Sequence, residues 1–348
     1  MPEAAIATGS VDLVLPPGDM IDVLGEHFRR SAAIDSRIET DAEFLRRVVK
    51  HVRYRTGHDF SNYKTGTLKR RLARRMSVLG IREPTEYLQR LIADAGEGTQ
   101  LMHDILINVT SFFRDRAAFE ALRTHAIAPM LAQKAPGEEV RVWVPGCSTG
   151  QEAYTVAMIL AEERARIDAE VKISVFATDI DEPALETARQ AFYDNTVVDE
   201  VPRETVDAHF QPVRDGFRVA NHVRGLVNFS VHNLVQDPPF SRLDLVACRN
   251  VLIYLDDELQ EHVLSLFHYA LKEGGFLFLG QSETLGRNTA LFAEVAGPER
   301  LYRRLAGERR LVPLPAFGSR TGGPRPVTPT AERKSGGEDG WGRYGEIV

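Results

Sequence analysis

Cysteine is nearly missing from this 348-residue chain, occurring only as Cys147 and Cys248. Two thiols cannot build a disulfide scaffold, and a reducing cytoplasm is the natural compartment for such a chain. No Cys and His cluster has the spacing of a zinc site, so no metal is expected. No apolar run approaches the roughly 18 residues that cross a bilayer. The first twenty residues lack a basic stretch followed by an apolar block, so neither a membrane span nor a secretion signal is expected. Internal repeats are absent. What remains is ordinary for a globular chain: 43% hydrophobic and 26% charged residues, with length for two or three domains. That balance excludes a wholly disordered or fibrous chain.

The net charge is −6, but it is unevenly spread. Residues 41–106 hold 13 Lys and Arg against 8 Asp and Glu, and the rest of the chain is correspondingly acidic. A basic module on an acidic body suggests an anionic partner: nucleic acid, a membrane surface or an acidic protein.

Residues 1–40, with Pro16-Pro17-Gly18, read as a poorly ordered lead-in with a short helix near Ile21–Phe28. Residues 41–106 read as helical. Asp41 is a candidate N-cap before Phe44, Leu45, Val48, Val49 and Val52 at helical spacing. A second helix places Leu68, Leu72 and Met76 on one face and Lys69, Arg70, Arg71, Arg74 and Arg75 on the other. A third starts at Pro84 and runs through Tyr87, Leu88, Leu91 and Ile92. Residues 107–137 form a linker and helix. From 138 to 305 strands alternate with helices: strands at Val140–Val144, Val171–Ala177, Leu243–Ala247 and Gly275–Leu279, helices at Glu152–Arg164, Pro183–Ala191 and Asp256–Leu271. This alternation predicts an α/β fold with an open parallel sheet. Within it, 192–230 reads as a small antiparallel insertion with strands at His209–Val213, Phe217–Val219 and Leu226–Val231. The Gly- and Pro-rich residues 306–348 read as a disordered tail.

Four segments carry chemistry. The first, Gly146 to Gly150, follows the first strand, where open α/β sheets bind ligands. Its glycines let backbone approach a ligand, but the spacing is not that of a dinucleotide loop, and the lysine of a phosphate-binding loop is absent. An ordinary strand-to-helix turn is the plain alternative. The second is Asp179, at the end of the second strand, where a carboxylate can accept both ribose hydroxyls; Asp181 beside it is a candidate helix cap. A glycine turn and an acid without a phosphate loop suit an adenosine ligand lacking phosphates, such as S-adenosylmethionine. The third is Cys248-Arg249-Asn250-Val251-Leu252-Ile253-Tyr254, at the same sheet edge; capping is its plain reading. The fourth, Asn108 to Asp115, joins the two halves, and packing of Phe112 and Phe113 explains it equally well. Cys147 reads as a small packing residue rather than a reactive thiol.

Taken in order, NVTSFFRD (108–115), PGCSTGQEAYT (145–155), ATDID (177–181), HNL (232–234), ACRNVLIY (247–254) and GGFLFLGQSE (274–283) resemble the motifs of the chemotaxis-receptor methyltransferase family, CheR type. The resemblance covers about 41–305. It implies a Rossmann-like S-adenosylmethionine-dependent methyltransferase sheet, an N-terminal helical receptor-recognition domain and the small antiparallel insertion. It further implies that Asn108, Thr110, Arg114, Gly146, Glu152, Asp179, Asn233, Leu234, Asn250 and Val251 hold S-adenosylmethionine. Glu152 would take its amino-acid portion, Asp179 the ribose, and Asn233 and Leu234 the adenine. Arg114 and Tyr254 would lie closest to the transferred methyl. Lys69, Arg70, Arg71, Arg74 and Arg75 would face the cytoplasmic helical bundle of a chemoreceptor, whose glutamates would become methyl esters, with S-adenosylhomocysteine as the other product.

Some members dock a receptor's C-terminal pentapeptide on a glycine-containing loop added to the insertion. Here the turn is only Arg214-Asp215-Gly216, so no such tether is expected. Two rivals stay open: carboxyl methylation of another signalling protein, and a non-catalytic S-adenosylmethionine sensor. A basic helix also raises nucleic-acid methylation. The nearest segment to an amino-methylation motif, Asp237-Pro238-Pro239-Phe240, starts with Asp and precedes a strand, so no nucleic-acid partner is expected.

Overall fold

The structure, a computed structural model, describes residues 42–307 and positions 15, 16, 20, 21 and 25. Apart from those positions, the lead-in with its helix, the Asp41 cap and the tail beyond 307 lie outside the described residues.

Four helices come first: α1 (Ala42–Thr56), α2 (Thr65–Val78), α3 (Pro84–Ala93) and α4 (Glu97–Ile105). The first three bury the stripes their periodicity forecasts, except that Ile92 of α3 is exposed. α4, which has no separate signal in the sequence, adds Leu101, Met102 and Ile105 to the same core. α2 ends where Gly80 takes φ +72° and donates its N–H to the Ser77 carbonyl, a left-handed exit that glycine makes without strain.

Glu97 ties three of these helices together. Its buried carboxylate accepts from Arg75 Nε at 2.9 Å, Arg75 Nη2 at 2.8 Å and the Tyr87 hydroxyl at 2.9 Å. The first effect of this bond is to hold the Arg75 guanidinium well above its ordinary pKa. The expected outward placement of Arg75 is therefore corrected. Seven residues separate it from Leu68, which on a helix returns it to within about 20° of that buried position.

The second half opens with α5 (Arg116–Leu122), a π turn at Arg123–Ile127 and α6 (Ala128–Ala132). Then come β1 (Glu139–Pro145), α7 (Gln151–Arg166), β2 (Lys172–Asp179), α8 (Glu182–Gln190), β3 (Phe192–Tyr193), β4 (Phe210–Val213), β5 (Gly216–Val219), β6 (Val227–Val231), β7 (Leu243–Cys248), α9 (Asp257–Ala270), β8 (Leu271–Leu279), β9 (Phe292–Ala296) and β10 (Leu301–Arg304). The main sheet has the order β6-β2-β1-β7-β8-β10-β9. Its first five strands are parallel, and β10 runs antiparallel to both neighbours. β7 is buried along its whole length and β1 nearly so, as central strands of a sheet covered on both faces must be. Strand order reverses between β1 and β7, so the loops leaving their carboxyl ends diverge and open a crevice.

Two expectations change. Residues 227–231 do form a strand, but β6 pairs parallel with β2, Val175 to Val227 through Asp179 to Val231, and belongs to the main sheet. The antiparallel insertion is instead β3-β5-β4, with Phe192 and Tyr193 as its third strand. The sheet is also mixed rather than parallel, because β9 and β10 follow β8 without an intervening long helix.

The two halves are joined by backbone. The Lys64 N–H donates to the Tyr254 carbonyl at 2.8 Å, the Asp256 N–H to the Asn62 carbonyl at 2.9 Å, and Tyr63 and Leu255 form an antiparallel bridge between them.

Glu97→Ala leaves the half-buried Arg75 and the buried Tyr87 hydroxyl without their shared partner. It should lower stability by about 3 kcal/mol, read as a reduced urea midpoint.

Candidate active site

The turn after β1 needs unusual backbone. Gly146 has φ +68° and Gly150 φ +96°. A Cβ on Gly146 would fall 2.5 Å from Val251 Cγ2, and one on Gly150 2.9 Å from the Ala188 Cβ. Ser148 between them also takes a positive φ, 48°. Its conformation is held by Asp179, whose carboxylate accepts the Ser148 N–H at 2.8 Å and the Asp181 N–H at 2.9 Å. Burial raises the Asp179 carboxyl, and these two donors oppose the rise. Asp181 occupies the cap position of α8 but makes no side-chain cap. It accepts instead from Asn108 Nδ2, while Asn108 Oδ1 accepts from the Ser148 hydroxyl at 3.0 Å. Asn108 therefore pins the interdomain linker to the β1 turn.

The turn after β7 is built around two buried charges. The Glu283 carboxylate, from the turn after β8, accepts the N–H groups of Gly280 at 2.6 Å, Asn250 at 2.9 Å and Leu252 at 2.7 Å. This fixes Asn250 at φ +60°. Arg249, with its side chain fully buried, donates to the Arg114 carbonyl at 2.9 Å and to Asp115 Oδ2 at 2.7 Å. The segment it holds is itself unusual, because Phe113 and Asp115 both have positive φ. The two phenylalanines of that segment pack as expected: Phe112 sits edge-on to Tyr193 and Phe210, and Phe113 edge-on to Phe119.

A pocket opens between these turns and the helical domain. It brings together Asn108, Gly146, Asp179, Asn233, Leu234, Asn250, Val251 and Tyr254 from the sequence expectation. Asn233 is partly committed: its Oδ1 accepts the N–H groups of Val235 and Gln236 at 3.0 and 3.2 Å. Thr110 lies instead on a neighbouring groove across the linker. Arg114 is exposed, with Nη1 3.3 Å from the Val109 carbonyl. Glu152, at the start of α7, is half-buried and is not among the residues that line this pocket. Its Oε1 is buried and has no hydrogen-bond partner among the described residues.

These outlying groups still act on the site electrostatically. Burial pushes the Glu152 carboxyl up to about 7; Arg249 and Arg114 oppose the rise, and Glu283 adds to it. Burial raises the Tyr254 hydroxyl, with Arg71 and Arg114 opposing. Arg71, half-buried on α2, is thus the basic-helix residue whose charge reaches the pocket. Of its companions, Arg70 is exposed, and Lys69 and Arg74 are half-buried.

Sequence reasoning missed several walls and supports. Tyr63, Ser148 and His232 line the pocket. Glu283 and Arg249 stand behind it. Glu283 had a signal, since it follows a strand ending at the same sheet edge; Tyr63 had none. Among the described residues no group of three or more His, Cys, Asp or Glu is placed to hold a metal ion, and no helix is long and apolar enough to cross a membrane.

Comparison with known proteins matches two segments of the chain. Residues 43–106 match the CheR methyltransferase all-alpha domain, and residues 108–301 match the CheR methyltransferase SAM binding domain. A 104.1 kDa protein of Rhodobacter capsulatus is 35% identical over 330 residues, which is 88% of this chain and 35% of that one. The chemotaxis protein methyltransferase of Borreliella burgdorferi is 32% identical over 255 residues, covering 71% of this chain and 90% of that one. That of Escherichia coli is also 32% identical over 255 residues, covering 70% and 85%. A solved TehB-like SAM-dependent methyltransferase from Corynebacterium glutamicum is more distant, with 17% identity, a TM-score of 0.26 and coverage of 48% and 67%. A helical domain and a SAM-binding sheet, joined through the linker that walls the pocket, together account for the described residues: the chain belongs to the CheR methyltransferase family.

Proposed function

We propose that this protein methylates glutamate side chains on the cytoplasmic helices of chemoreceptors, using S-adenosylmethionine. The observation that carries the reading is the pocket at the β1/β7 reversal, closed on its open side by a basic helical domain whose Arg71 acts on Tyr254. The names of the relatives support the chemotaxis setting.

The residues fit the cofactor. Glu152 offers a buried carboxylate oxygen with no partner among the described residues, which an ammonium would satisfy. Asp179 spends one acceptance per oxygen on backbone and keeps capacity for ribose hydroxyls. Gly146 lines the pocket with backbone alone, since Val251 leaves no room for a Cβ there. Asn233 and Leu234 would flank the adenine, and Asn250, Val251, Asn108 and Thr110 complete the proposed binding set. When bound, S-adenosylmethionine supplies a methyl carried on a positive sulfur.

A glutamate is ionised at neutral pH, with a reference pKa of about 4.3, so attack on that methyl needs no general base. The protein's contribution is placement. Arg114 would grip the substrate carboxylate with paired donors. Tyr254, kept protonated by burial, would donate a second hydrogen bond. Lys69, Arg70, Arg71 and Arg74 would steer an acidic helical surface inward, with a rate that falls as salt rises. The turn between β4 and β5 is too short to add a docking loop, since Val213 already pairs with Gly216; the reading includes no pentapeptide tether.

The decisive experiment incubates the protein with methyl-labelled S-adenosylmethionine and chemoreceptor membranes, then releases label with mild alkali. Label should leave as volatile methanol, and Arg114→Ala should cut the rate about 100-fold. Alkali-stable label would overturn carboxyl methylation, and ester formed only on another acceptor would move the substrate to a different signalling protein. The receptor tail pentapeptide, titrated calorimetrically, should give no heat of binding. S-adenosylhomocysteine affinity should fall about tenfold per unit below about pH 7. The sign follows from Glu152: its carboxyl, raised to about 7, must lose a proton before it can hold an ammonium. Glu152→Gln should weaken binding and flatten the profile.

A further inference from the structure

We infer that Arg249 is a positioning residue for methyl transfer: one buried cation fixes the backbone that carries Arg114 and stands against Glu152, so it sets the substrate-carboxylate and cofactor-ammonium sites together. The inference rests on the methyltransferase reading above.

The geometry is specific. The Arg249 guanidinium lies between two rings, 4.9 Å from the centre of Phe119 and 4.8 Å from that of Phe278. One end, Nη2, is bonded to Asp115; Nη1 is bonded to the Arg114 carbonyl and lies 4.0 Å from Glu152 Oε2. The planar group thus spans α5, the linker turn, β8 and the start of α7. Packing does not require a charge there. An apolar side chain would fill a slot between two phenylalanines without the desolvation cost, and Arg249 Nε has no hydrogen-bond partner among the described residues. What the charge supplies is attraction to two carboxylates and a fixed fork that a flexible ammonium cannot reproduce. Because Phe113 and Asp115 both hold positive φ, the turn carrying Arg114 is one that outside contacts must hold in place.

Arg249 also weighs on the ionisation of Glu152. The charged and titratable groups that face Glu152 are Arg249, Arg114, Glu283 and the buried thiols of Cys147 and Cys248. Of these, Arg249 is the cation that most opposes the burial of Glu152. Removing it moves the protonation of Glu152 to higher pH, against cofactor binding.

The test compares wild type, Arg249→Met and Arg249→Lys by calorimetric titration with S-adenosylhomocysteine between about pH 5.5 and 9, alongside kcat on receptor membranes and thermal melts. Arg249→Met should move the acid limb of the affinity profile upward by about one pH unit, a roughly fivefold loss of affinity at neutrality, and lower kcat at least about tenfold. Arg249→Lys should return the limb toward wild type while kcat stays low, because charge is restored and the fork is not. A purely structural role would lower the melting temperature and leave the limb in place; that result, or wild-type kcat in a folded Arg249→Met, overturns the inference. If Arg249→Met does not fold, Arg249→Lys decides: a wild-type limb with reduced kcat supports the inference, and wild-type kcat overturns it. Wild type that binds S-adenosylhomocysteine but methylates nothing would instead sink the functional reading, and the limb would still report on Arg249.

Discussion

Two adjacent parallel strands, β1 and β7, send their connections in opposite directions, and the two turns that wall the pocket answer the backbone problem this creates. The turns at 146–150 and 249–252 leave the sheet ladder with N–H groups that regular structure cannot satisfy. Each is met by a carboxylate from the end of another strand: Asp179 for the first turn, Glu283 for the second. These acids let Ser148 and Asn250 sit at positive φ, and that bends the chain away from the crevice. Gly146 and Val251 then meet across the gap so closely that no side chain fits on Gly146.

The parts of this arrangement legible in the sequence were those written in short contiguous patterns. A wholly apolar strand followed by glycines places Gly146, and a strand ending in an acid places Asp179. The helical stripes of α1, α2 and α3 follow directly from spacing. What escaped depends on partners far along the chain. A five-residue strand such as β6 has the same alternation whether it pairs with β2 or with β5. Arg75 looks like one more member of a basic run until Glu97, 22 residues later, turns inward to meet it. Glu283 and Arg249 are charged residues beside apolar strands, and nothing local says that one gathers three N–H groups while the other lies between two rings. Tyr63 reaches the pocket only because its backbone bridges Leu255.

That bridge also gives the helical domain its place. The carbonyl of Tyr254 accepts from Lys64, just ahead of α2. A backbone hydrogen bond thus ties the start of the basic helix to the tyrosine at the pocket. The charge count of the domain overstates what that face presents, since Arg75 is spent inside on Glu97 and Asp104.

The turn gathered by Glu283 has a further meaning for selectivity. Successive N–H groups converging at the end of a strand are what many α/β proteins offer to phosphate. Here a side chain of the protein itself already fills that concavity, beside Asn250 and Val251 of the pocket wall. A ligand bearing a phosphate would have to compete with a tethered acid for the same donors and at the same time bring its own negative charge close to it. Those three N–H groups are already spent on the protein's own carboxylate, and none of them is left to hold the phosphate of a nucleotide.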